Sequence, residues 1–65
     1  MTFYCNNGGT LFTVSGDEII GSNGRSYRYD GDVLYDQCGH VVSYHVKNMN
    51  MAIGIVAGLH GGIRP

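Results

Sequence analysis

An all-β fold of short antiparallel hairpins is what this sequence predicts, and three observations predict it. Glycine fills 11 of the 65 positions, more than twice the average share of about 7%. Turn-forming clusters recur every seven or eight residues: Asn6-Asn7-Gly8-Gly9, Ser15-Gly16-Asp17, Ser22-Asn23-Gly24, Asp30-Gly31-Asp32, Gln37-Cys38-Gly39 and Lys47-Asn48. Between them lie segments rich in β-branched and aromatic residues, each too short before Met49 for a stable helix.

Taken in order, the strands are expected at 2–5, 10–14, 18–20, 25–29, 33–35 and 40–46. The first two carry Phe3, Tyr4, Leu11, Phe12 and Val14, and the third carries Ile19 and Ile20. Asn23-Gly24 is the strongest two-residue hairpin signal, because both residues tolerate the positive φ that such turns need. In the fourth segment Tyr27 and Tyr29 oppose Ser26 and Arg28, and in the sixth Val42, Tyr44 and Val46 oppose Val41, Ser43, His45 and Lys47. Successive side chains on a strand point to opposite faces, so each strand offers one apolar or aromatic side and one mostly polar side. A small sheet buried on one side satisfies that pattern.

The glycines also repeat. Gly8, Gly24, Gly39 and Gly54 are separated by 16, 15 and 15 residues, and Gly16 and Gly31 by 15. Two kinds of turn therefore alternate. The runs Tyr4-Cys5-Asn6-Asn7-Gly8, Ile20-Gly21-Ser22-Asn23-Gly24 and Tyr35-Asp36-Gln37-Cys38-Gly39 each pair one large apolar residue with three smaller or polar ones and a glycine. The chain is then one domain of hairpin repeats at about 3–18, 19–33 and 34–48, with a degenerate fourth at 49–60, forming a small sheet or a flower-like barrel. With its Val33-Leu34-Tyr35-Asp36-Gln37-Cys38-Gly39-His40-Val41-Val42 core, this repeat resembles the small bacterial and phage hairpin-repeat proteins described as a four-fold β flower. The resemblance covers roughly 4–46 and implies architecture only.

From Met49 to Leu59 the chain loses charge and gains methionine. Helix and strand are both open here: Gly54 and Gly58 disfavour a helix by about 1 kcal/mol each, while Ile53, Ile55 and Val56 favour a strand, so an extended segment is the expectation and a helix the alternative. So apolar a stretch must be covered, either by its own sheet or by a second copy. Met49, Met51, Ile53, Ile55, Val56 and Leu59 are accordingly the candidate interface residues, and 60–65 reads as a mobile tail.

A net charge of -1 supplies no field to draw in nucleic acid or an anionic membrane. Two cysteines, Cys5 and Cys38, do not make a disulfide framework, and reduced thiols are the default. The N-terminal segment lacks a signal-peptide pattern, and the longest apolar tract is about half of the 18 to 20 residues that a helical span requires. A cytoplasmic address is expected.

Four constellations could carry chemistry. Cys38, His40 and His45 are potential zinc ligands, but paired Cys-x-x-Cys or His-x-x-x-His spacing is missing, and no metal or other cofactor is expected. Cys5 or Cys38 as a nucleophile would need a helix N-terminus or a basic cluster to lower its pKa. Asp30 and Asp32 flank a turn glycine, where aspartate has an ordinary capping role. Arg25, Tyr27, Arg28 and Tyr29 form the most functional-looking run, because rings stack on bases and guanidinium groups meet phosphates; the simpler reading packs the tyrosines in the sheet and pairs the arginines with Asp17, Asp30 or Asp32. Gly61-Gly62 lacks the lysine and helix of a phosphate loop.

The sequence thus reads as a non-catalytic domain that acts through contact with itself or with another protein. Its size and simplicity suit a prophage or mobile-element accessory protein. The alternatives are a single-stranded nucleic-acid module and a small-molecule binder with its pocket between repeats.

Overall fold

A computed structural model describes residues 1–6 and 9–63. Six strands run β1 (Thr2–Tyr4), β2 (Leu11–Ser15), β3 (Glu18–Gly21), β4 (Ser26–Asp30), β5 (Val33–Asp36) and β6 (Val41–Ser43), followed by helix α1 (Met49–Leu59). Each strand pairs antiparallel with its neighbour in sequence, giving one sheet in the order β1-β2-β3-β4-β5-β6. Since β1 and β6 are not joined, the sheet is open, and the flower-like barrel considered from the sequence is not formed.

The two kinds of turn follow from the glycine spacing. Gly16-Asp17 and Gly31-Asp32 are two-residue connections whose glycines take φ of 59° and 67°, while neither aspartate has a positive φ. A left-handed residue at the first central position alone defines a type II′ turn, whose twist matches that of the flanking strands. The Gly24 and Gly39 turns are longer. Gly24 N–H donates to Gly21 C=O (3.1 Å) and Gly21 N–H to Arg25 C=O (2.8 Å); Gly39 N–H donates to Asp36 C=O (3.0 Å) and Asp36 N–H to His40 C=O (2.9 Å). Both are three-residue loops closed by a glycine with φ near 84–85°. Asn23-Gly24 therefore does not form the two-residue turn its sequence suggests: Asn23 precedes the left-handed glycine, and its Oδ1 accepts the N–H of Arg25 at 3.0 Å.

One face of the sheet is apolar in every strand. Phe3, Phe12, Ile19, Tyr27 and Leu34 all point to it and are buried, with the Phe3 and Phe12 rings stacked at 5.3 Å. Phe12, Ile19 and Leu34 are inaccessible, as are Val46 and Val56. At about 1.5–3 kcal/mol for each large side chain removed from water, these five are large contributors to the drive to fold.

Helix α1 covers this face, so the extended segment and fourth hairpin expected at 49–60 are overturned. Asn48 is the N-cap, its side chain accepting the N–H of Met51 at 2.9 Å. Ala52, Ile53, Val56 and Ala57 are buried, and their spacing is that of one helical face. Gly54 and Gly58 lie on the exposed side with open space where a Cβ would stand. Their propensity cost persists, but burial of the opposite face outweighs it. The predicted interface is corrected with it: Ile53 and Val56 belong to the core, Met49 and Ile55 pack against it half-buried, and Met51 and Leu59 are exposed.

Two further expectations change. The sixth strand stops at Ser43 rather than continuing to Val46: its register with β5 slips between Leu34 and Tyr35, and His45 takes a positive φ of 59°. This detour leaves Tyr44 exposed and returns Val46 to the core, its N–H bonded to Asp32 C=O at 2.8 Å. Nor is the described part of the 60–65 segment a free tail. Asn6 N–H donates to Gly62 C=O (3.0 Å), Asn6 Nδ2 to Gly61 C=O (3.1 Å), and Ile63 forms an isolated bridge with Cys5. Residues 64 and 65 lie outside the described residues, as do Asn7 and Gly8 of the first predicted turn.

Two glycine substitutions separate close packing from helix propensity. A Cβ on buried Gly21 would stand 2.7 Å from the Phe12 ring and 2.9 Å from Arg25 C=O, so Gly21→Ala is expected to cost about 1–3 kcal/mol. Gly54→Ala, exposed in the helix, is expected to gain about 0.4–1 kcal/mol. Thermal or urea unfolding of the two variants measures both.

Candidate functional site

With the helix on one side, the other side of the sheet is open, and the strand registers fix what it presents. Thr2, Thr13, Ile20 and Ser26 form one cross-strand row, Glu18, Arg28, Tyr35 and Val41 a second, and Tyr4 pairs with Leu11. Tyr4, Ile20 and Val41 are 50%, 45% and 40% exposed, with Leu11, Val33 and Tyr35 half-buried beside them. Two apolar patches, around Tyr4, Leu11 and Ile20 and around Val33, Tyr35 and Val41, thus flank a polar belt of Glu18, Ser26 and Arg28.

A shallow cleft of about 530 Å³ opens over this belt, between strands of the second and third repeats, and Glu18, Arg28, Asp30, Tyr35, Gln37 and Cys38 are among its lining residues. The turn after β5 forms one wall. Gln37 Oε1 accepts the Ser26 N–H at 2.9 Å, tying that turn to β4. Asp36 holds the same turn from within: its Oδ1 accepts the N–H groups of Cys38 and His40, each at 2.9 Å, and its Oδ2 lies 3.7 Å from His40 Nδ1. Glu18 and Arg28 are register partners, yet among the described residues the one contact within 4 Å between a basic side chain and a carboxylate is that of His40 with Asp36. Both charges are left for solvent or for a partner.

The residues singled out for nucleic acid are dispersed. Tyr27, 7% exposed, is buried, and half-buried Tyr29 packs against the core with its hydroxyl donating to Val46 C=O at 2.6 Å. Arg25 sits in the turn before β4, while Arg28 projects from the opposite face. The two rings are therefore closed to stacking on bases. The arginines do not pair with Asp17, Asp30 or Asp32 either. Cys38 and His40 share an exposed turn, and His45 lies beyond β6; among the described residues, no three His, Cys, Asp or Glu side chains converge on a possible metal site.

Behind the sheet, the structure brings together a group that the sequence reading missed. His60, at the C-cap of α1, lies with its ring 4.9 Å from that of Phe12 and 6.0 Å from that of Tyr27, and its Nε2 is 2.8 Å from the Tyr27 hydroxyl. Burial lowers the His60 pKa, and the nearby Arg25 charge lowers it further. Burial raises that of Tyr27, which Arg25 partly opposes and Asp36 reinforces. The signal was present in the sequence: Met49, Ile53, Val56 and His60 follow helical spacing and share the inward stripe. The outer site likewise follows from period-two parity, which places Glu18, Ile20, Arg28 and Tyr35 together.

Comparison with protein families, with curated proteins and with solved structures gives no match to this chain. No helix among the described residues is long and apolar enough to cross a membrane.

Both cysteines are free thiols, Cys5 buried and Cys38 exposed, and burial pushes the Cys5 thiol up. A thiol-reactive probe such as a disulfide dye is therefore expected to label one cysteine per folded chain at once and the second only on denaturation. Mass spectrometry of the labelled peptides should find the rapid site at Cys38, and rapid labelling of Cys5 would contradict the packing around β1.

Proposed function

We propose that this chain is a non-catalytic protein-contact module that uses the outer face of its sheet. The observation that carries this reading is the asymmetry of coverage: the helix buries one face, while the other leaves Tyr4, Ile20 and Val41 open beside half-buried Leu11, Val33 and Tyr35. Exposed apolar patches set among polar groups are the usual composition of a contact surface. Glu18 and Arg28, unpaired at the centre, add charge recognition and suit a partner that brings both signs.

The partner is a protein, either a second copy or another chain, and contact moves from the predicted 49–59 segment to the opposite side of the molecule. A low net charge of -1 offers little repulsion to such association. The cleft between repeats also favours a second reading, a small polar ligand held by Arg28 and Tyr35; it is open on one side, and a ligand there would compete with protein contact. Accessory work in a prophage or mobile element remains compatible with either.

A photo-crosslinking phenylalanine analogue in place of Ile20 is expected to yield a protein adduct of one defined mass in cells, which Arg28→Glu diminishes. The same analogue in place of Gly54, on the open side of the helix, is expected to yield little. An adduct of twice the chain mass identifies self-association, any other defined mass a different protein. Equal adduct formation at both positions, or none at Ile20, would sink the reading.

A further inference from the structure

At the C-terminal end of α1 one titratable side chain joins buried Val56 and Ala57 in holding the helix to the sheet. The His60 ring lies against Phe12, which is inaccessible to solvent, and its Nε2 meets the Tyr27 hydroxyl at 2.8 Å. Just beyond it the chain turns: the N–H groups of His60 and Gly62 both donate to Ala57 C=O, at 3.1 and 2.7 Å, and Gly61 and Gly62 are fastened to Asn6. His60 therefore stands where the end of the helix and the segment that binds β1 are both set in place.

We propose that His60 is an acid-sensitive latch: neutral, it keeps the helix end and residues 61–63 on the sheet, and protonated, it releases them and uncovers Phe12. With its proton on Nδ1, the neutral imidazole accepts the Tyr27 O–H at Nε2, and it tolerates the apolar wall formed by Phe12. Protonation makes Nε2 a donor, so the Tyr27 hydroxyl hydrogen must find another acceptor, and it sets a charge on a half-buried ring packed against Phe12. Two charged groups face the pair. Arg25, from the turn before β4, repels an imidazolium, and the Asp36 carboxylate of β5 acts on Tyr27, where it opposes deprotonation. Phe12 of β2 and the last turn of α1 bring no charged side chain. The carbonyl end of the helix favours a cation, but burial and Arg25 prevail, since the net shift of His60 is downward.

The direction of the pH effect follows from that shift. A histidine whose pKa is lowered in the closed state binds its proton more readily when released, so closure is at full strength above the ordinary value of 6.5 and weakens as pH falls below it. Between the ordinary and the lowered value, the opening equilibrium grows by about tenfold per pH unit. His40 and His45, both exposed, have no part in the latch.

The test is an imidazole NMR titration of the intact chain, combined with amide exchange expressed as protection factors. His60 is expected to titrate below the ordinary value of 6.5, and protection at residues 58–62 is expected to fall several-fold from pH 7.5 to pH 5 while that of β3 and β4 holds. His60→Gln, which can accept the Tyr27 hydroxyl but does not titrate, should abolish the pH dependence. Arg25→Gln should blunt it by easing protonation within the closed form. If His60 titrates at or above the ordinary value of 6.5, or protection is unchanged at pH 5, the latch is refuted; the titration of the unmodified chain decides this even if the glutamine variant does not fold.

Discussion

A sheet that is apolar on one face only cannot persist in water, and the need to cover that face governs this molecule. Six short strands joined by tight turns bring Phe3, Phe12, Ile19, Tyr27 and Leu34 to one side. None of the hairpins could bury its share alone. Cover comes from α1, whose Ala52, Ile53, Val56 and Ala57 fill the space over the strands. Alanines at two of these four positions let the helix backbone approach closely. Gly54 and Gly58, which weaken the helix as an isolated segment, point away and leave the packing intact.

The strands were legible because turn chemistry is local. A glycine with positive φ is required at Gly16, Gly24, Gly31 and Gly39, and the spacing of those residues sets both the number of strands and the alternation of two turn types. The detailed form of a turn is less local: Asn23-Gly24 carries the signature of a two-residue turn, but the strand register makes three residues span the gap. The helix escaped the reading for a different reason. Its propensity is poor, and what stabilises it is burial against strands that a propensity argument does not see. The N-cap Asn48 and the inward spacing of Met49, Ile53, Val56 and His60 were the available signs.

The outer face was legible in its parity but not in its meaning. Alternation told which tyrosines turn inward, and so weakened the nucleic-acid reading once Tyr27 and Tyr29 proved to be core groups. It could not tell that β3, β4 and the turn after β5 enclose a cleft, because that depends on sheet twist and on the Gln37–Ser26 hydrogen bond. Glu18 and Arg28 face the same side as cross-strand neighbours without forming an ion pair. In an exposed pair of this kind the Coulomb gain is comparable to the side-chain entropy lost. Desolvation by a bound surface would change that balance.

The bridge between Cys5 and Ile63 joins residues separated by almost the whole chain. The hairpins can form as each is synthesised, because their contacts are close in sequence. The helix that covers them follows all six strands in the chain. Until Met49–Leu59 has folded over the sheet, its aromatic side stays exposed, and during that interval Phe3 and Phe12 are open to chaperones or to other unfinished copies.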